Sequence, residues 1–212
     1  DLNPGTTYAR AVAAVYEELK ANPERYPRGI HLRTLLGNYP VVASLEWGSQ
    51  IWDVMSDLRE AGLPEMVNPE LGWKLEVANY AGVFPHSHTK FIDLDGKQLL
   101  AVGFNYGYLH LPKDHPSGRG ADLVDLGLSA AGPVAQTGLT AYDDMWEGAN
   151  QLVCTDLTAE NWRDSCTFQT ATVSHVPEAM KYFIAEEDFA LSLYRNSSFK
   201  EADTALKAAM RS

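Results

Sequence analysis

The chain has 212 residues, 45% of them apolar and 21% charged, with a formal net charge of −11. That balance belongs to a globular chain with a real core and excludes a disordered or low-complexity one. No apolar run reaches the roughly 18 residues of a membrane-spanning helix. An acidic chain without a Lys/Arg cluster also leans away from nucleic acid.

In chain order, residues 6–21 read as a helix. Thr6 or Thr7 can cap it, Tyr8, Val12, Val15 and Leu19 form an apolar stripe, and Pro23 and Pro27 stop it. Residues 30–36 read as a buried strand ending at Gly37, and residues 47–61 as a second helix with Ile51, Val54, Met55 and Leu58 inward. A strand is expected over 75–80. Residues 88–94 and 98–104 then form a hairpin about Asp95-Gly96, a favoured tight-turn pair. Residues 105–121 are a long loop rich in Gly, Pro, His and Lys, placed to shape a substrate entrance. A strand over 123–130 follows, then a helix opened by Pro133 with Ala135, Leu139, Tyr142 and Trp146 at helical spacing. Further on we expect a short helix near 159–163, a strand over 168–174 and a last helix over 199–210. Alternating strands and helices argue for an α/β fold.

Two cysteines, Cys154 and Cys166, enclose a short segment with no histidine or further cysteine at metal-ligand spacing. A disulfide is expected in preference to two unrelated buried thiols, and it implies an oxidising, extracytoplasmic compartment. The chain opens at Asp1 rather than at a methionine, which fits either a removed leader or a fragment of a longer protein.

The chemistry concentrates in Pro85-His86-Ser87-His88-Thr89-Lys90-Phe91-Ile92-Asp93-Leu94-Asp95-Gly96. On a strand, His88 and Lys90 point to one face. An imidazole can act as nucleophile and a neighbouring ammonium can hold an anionic oxygen, a pairing that suits phosphoryl transfer without a metal. His86 could share that face, but no third metal ligand accompanies it, so it reads as a pocket wall.

His88-x-Lys90-x4-Asp95 resembles the HKD motif of the phospholipase D superfamily. The downstream context resembles that family too. Leu99 to Asn105 looks like the strand and turn after the motif, with Val102-Gly103 where Gly-Ser or Gly-Gly is usual. Asp125 to Val134 looks like the later acidic residue, strand and Gly-Pro helix start, and Trp146 looks like the helix-closing tryptophan. The resemblance covers roughly residues 30–147. It implies a mixed sheet flanked by helices on both faces. It also implies a first catalytic half over residues 1–150, followed over 151–212 by a disulfide-bearing connector and the start of a second half.

The resemblance further implies a phosphodiesterase or phosphatidyl transferase acting on phospholipid through a phosphohistidine on His88. Lys90 and Asn105 would hold the phosphate oxygens, with Gly103 at the substrate turn. Asp125 would orient the imidazole, with Asp122 as its rival, and Asp95 would serve the site or only the turn. Phe104, Tyr106 and Tyr108 would line an apolar entrance or simply pack. No cofactor or metal is implied. Only one such motif is present, so a second half, missing from this chain or supplied by a homodimer partner, would complete the site. Two other readings stay open: a single-motif nuclease acting as a homodimer, and a catalytically idle half serving as an interaction module.

Overall fold

The computed structural model describes residues 4–38, 49–81, 87–103 and 108–173. The readings that touch His86, Phe104, Asn105, Tyr106, the helix start at 47 and the helix over 199–210 lie outside these residues. Packing divides the chain into two units that interleave along the sequence. The first draws on the chain up to Thr89, on the stretch ending at Val124 and on Trp146–Thr172, while the second draws on the stretch from Lys90 and on Asp125–Met145.

The first unit holds a five-stranded mixed sheet. Strand β1 (Ile30–Leu36) runs parallel to β3 (Trp73–Asn79), and helix α2 (Ser49–Glu60) lies between them in sequence. Parallel neighbours require such a crossover. The two-residue strand β2 (Val67–Asn68) pairs antiparallel with β3, as does β7 (Asn150–Cys154), and β8 (Cys166–Thr170) completes the order β1-β3-β7-β8.

One face of this sheet is apolar, and it packs against α1 (Pro4–Ala21) and α2. Ala9, Val12, Tyr16 and Leu19 of α1 repeat at helical spacing and meet Ile51, Met55 and Leu58 of α2 over Trp73, Leu75, Val77 and Leu152. Each fully buried side chain of this size contributes about 1.5–3 kcal/mol. Two polar handles in this layer are satisfied: the Trp73 indole donates to the Glu65 carbonyl at 3.1 Å, and the Tyr16 hydroxyl is paired as well. Tyr16 stacks edge-on to Trp73 at 5.3 Å and donates to Glu65 at 2.8 Å. Burial, and then the Glu65 carboxylate it faces, push the Tyr16 phenol up to about 12.

The second unit is a three-stranded antiparallel meander, β4 (Phe91–Leu94), β5 (Gln98–Val102) and β6 (Gly127–Ala131), with helix α3 (Pro133–Trp146) following from it. The register sets Phe91, Ala101 and Leu128 in one row and Asp93, Leu99 and Ala130 in the next. That face meets α3: Phe91 stacks edge-on with Tyr142 at 5.8 Å, and Leu99 closes on Gly138.

The α/β class expected from the sequence is what forms. Two differences stand out. The described residues make two sheets rather than one. Residues 151–170, expected to belong to a connector with one strand over 168–174, supply with Asn150 two strands of the larger sheet.

Candidate functional site

The hairpin positions the motif. Leu94 to Lys97 turn tightly, with Asp95 and Gly96 both at positive φ (58° and 63°) and the Lys97 amide donating to the Leu94 carbonyl at 3.0 Å. Two consecutive positive φ values match the strand twist, and an Asp-Gly pair tolerates them. Asp93 adds a side-chain acceptor to the Gly96 amide at 2.7 Å. Asp95 therefore sits at the tip of the hairpin, exposed.

A meander returns its chain to the same end at alternate turns. Lys90 enters β4, Gly103 leaves β5 and Asp125 precedes β6, so all three lie at the end opposite Asp95. Backbone bonds tie this end together. Val102 donates to the Lys90 carbonyl at 3.0 Å and Gly103 donates to the Leu126 carbonyl at 2.9 Å. Gly103 also makes room for the acid: a Cβ on it would fall 2.0 Å from Asp125 Oδ1. Asp125 itself accepts from the Leu126 amide at 2.8 Å and is exposed. Three of the residues singled out from sequence, drawn from separate stretches, are thus brought to one end of one sheet. Asp95 is not, being separated from Lys90 by five residues along β4, about 16 Å at strand rise.

His88 requires a correction. The strand expected over 88–94 begins only at Phe91, and Ser87 to Lys90 carry no regular structure. The alternation that would set His88 and Lys90 on one face therefore does not apply to them. The last described bond between the two strands is from the Val102 amide to the Lys90 carbonyl, and the residues of the chain after Gly103 that would face His88 lie outside the described ones. His88 is exposed and belongs to the first unit. Its segment is anchored at the end of β1, where the Ser87 amide donates to Gly37 O at 2.8 Å. The contact is close enough that a Cβ on Gly37 would meet Ser87 O at 2.3 Å.

Asp122, the rival to Asp125, has a different task. It lies at φ 52°, accepts from the Lys113 amide at 2.8 Å and faces the Lys113 ammonium at 3.6 Å, so its carboxylate fastens the 108–124 loop. The strand expected over 123–130 is shorter, starting at Gly127.

Sequence reasoning missed a polar cluster on the other face of the five-stranded sheet. Glu76, 13% exposed, is held by His31 Nε2 on one oxygen and by Lys74 Nζ at 2.9 Å on the other, with Gln151 Nε2 at 3.2 Å. Burial alone would raise its carboxyl, but the His31 and Lys74 hydrogen bonds outweigh that and hold it down at about 2. The cluster depends on the β1–β3–β7 register, which no local pattern reveals.

Cys154 and Cys166 are disulfide-bonded and stand directly opposite each other in the β7–β8 pair. The helix expected near 159–163 is a single 3-10 turn, Trp162–Ser165. Among the described residues no group of three His, Cys, Asp or Glu side chains could hold a metal ion, and no helix is long and apolar enough to cross a membrane. No family model, no curated protein and no solved structure matches this chain.

Proposed function

We propose that the chain is one catalytic half of a phospholipase D-like phosphodiesterase, with phospholipid as substrate. The observation that supports it best is the gathering of Lys90, Gly103 and Asp125 at one end of the meander, in the order and context of the His88-x-Lys90-x4-Asp95 motif. On this reading the chain follows the family's arrangement of a mixed sheet flanked by helices on both faces, and the half is completed by a second one.

The mechanism follows from the chemistry of these groups. His88 Nε2 attacks phosphorus and the phosphodiester's leaving oxygen departs. A second histidine, contributed by the other half, protonates that oxygen as it leaves. Water or an alcohol, deprotonated by the same second histidine, then displaces His88 and regenerates the free imidazole. Lys90 and Asn105 meet the charge on the non-bridging oxygens. Asp125 accepts from the imidazole's other nitrogen, fixing its tautomer. The net charge of −11 favours a lipid over a polynucleotide. The Cys154–Cys166 bond fits an oxidising, extracytoplasmic setting.

The test is turnover of phosphatidylcholine, bis-p-nitrophenyl phosphate and single-stranded DNA across a range of protein concentration. Phosphodiester cleavage that rises with self-association, with acid-labile phosphate trapped on the protein, is expected. His88→Ala and His88→Asn should abolish both. Undiminished activity in a folded His88→Asn protein would sink the mechanism. Preference for DNA would move the substrate to the nuclease class, and no turnover even with a second half supplied would leave an interaction module.

A further inference from the structure

The loop over 108–124 in the first unit presents aliphatic surface that its own packing does not cover. Leu109 is 60% exposed, Leu123 51% and Val124 84%. Leu109 and Leu123 are neighbours and not scattered singletons, because the Leu123 amide donates to the Leu109 carbonyl at 2.9 Å, and Val124 follows Leu123 in the chain. The loop is built rather than slack. Asp122 N donates to Leu111 O at 3.1 Å, Lys113 N to Asp122 Oδ1 at 2.8 Å and Gly118 N to His115 O at 2.9 Å. Arg119 lies over the Tyr108 ring at 3.9 Å.

The chemistry around the patch narrows what can cover it. Its members are Leu, Leu and Val, whereas protein-binding cores are enriched in aromatics and methionine. Its rim carries a tyrosine stacked under a guanidinium, together with Lys113. Tyrosine and cationic side chains are the residue types that settle at the headgroup level of a bilayer. Within 108–124 the two cations, Lys113 and Arg119, balance the two anions, Asp114 and Asp122, while the whole chain stands at −11. This loop is therefore a stretch that can approach phosphate headgroups without net repulsion, and the acidic remainder disfavours a strongly anionic surface.

We infer that the 108–124 loop is a membrane-docking element, which inserts Leu109, Leu123 and Val124 at the interface of a zwitterionic phospholipid surface while Tyr108, Lys113 and Arg119 meet the headgroups. The inference stands on the loop alone and not on the phosphodiester reading.

Co-sedimentation of the full chain with phosphatidylcholine vesicles at 0.15 M salt tests it without any turnover. Binding is expected, and the Leu109→Ser/Leu123→Ser/Val124→Ser protein should partition at least tenfold more weakly. Val124→Asp alone, at a position 84% exposed where folding is not at stake, should lower partition severalfold. Val67→Ser, at an exposed valine on β2, should leave it unchanged. In a Val124→Trp protein, brominated lipid should quench the new fluorescence. Parent protein that ignores the vesicles, or a Val124→Asp protein that binds like the parent, overturns the inference. So does a patch whose substitutions abolish dimerisation in solution and leave lipid binding intact. A chain that binds vesicles but, even when dimeric or supplied with a second half, cleaves nothing keeps this inference and removes the catalytic one; cleavage of soluble diester without vesicle binding does the reverse.

Discussion

Replacing Glu76 with glutamine removes the charge at the centre of the His31–Lys74–Glu76–Gln151 cluster and keeps its shape. A carboxyl held at about 2, against 4.5 for the unperturbed group, corresponds to at most about 3 kcal/mol favouring the folded state. His31 and Lys74 are each 48% exposed, so solvent screens both partners and the expected loss is nearer 1–2 kcal/mol. The sign follows from linkage. The folded value is depressed, so the stabilisation is complete above about pH 5, roughly halved near pH 3 and lost as pH falls through about 2. Trp52, Trp73, Trp146 and Trp162 all lie in the first unit with Glu76, so tryptophan fluorescence during urea unfolding reports that unit. The parent should exceed Glu76→Gln by about 1–2 kcal/mol at pH 7, with the gap narrowing towards pH 3. A Glu76→Gln protein as stable as the parent at pH 7, or a gap that does not change with pH, would refute this account of the cluster.

Reduction, or Cys154→Ser with Cys166→Ser, should cost about 2–4 kcal/mol, read as a lower urea midpoint; non-reducing peptide mapping should recover the linked pair. Asp95→Asn should keep turnover within about twofold, since asparagine also tolerates positive φ and the residue lies at the far end of β4 from Lys90; a hundredfold loss would make Asp95 part of the chemistry. Gly103→Ala should drive the exposed Asp125 carboxylate from its place, lowering turnover of any active assembly with little change in stability; parent-like turnover would show that the contact is dispensable.

Local signals carried much of the fold. The α1 stripe, the β1 run and the Asp95-Gly96 turn each rest on residues a few positions apart, and each element formed near its expected bounds. The disulfide was legible because two cysteines in a loop-rich stretch leave few alternatives. What failed was long-range. His88 looked like a strand residue because its neighbours alternate, but strand length is set by pairing, and the described pairing of β4 stops at Lys90. β7 was missed because Asn150 and Gln151 open it with polar side chains, and it becomes a strand only by lying against Val77 to Asn79. At the candidate site, the convergence of Lys90, Gly103 and Asp125 followed from the meander once its turns were placed. Glu76 had only Lys74, two residues away on its own strand, as a local signal, since His31 and Gln151 come from strands 45 and 75 positions away.

The interleaving of the two units has a consequence for how the protein can be made. Neither unit is a continuous piece of chain. The large sheet begins with β1 at Ile30 and gains its last strand at Cys166–Thr170, after the chain has laid down the whole meander and α3. On a ribosome, β1, α2 and β3 emerge early and can pair at once, but Val77 and its neighbours must wait some 70 residues for β7 to cover their open edge. During that interval an uncapped parallel pair is a template for the wrong partner. Truncations meant to isolate either unit will cut through the other, so expression trials should keep both units together, and yield should depend on how quickly β7 arrives.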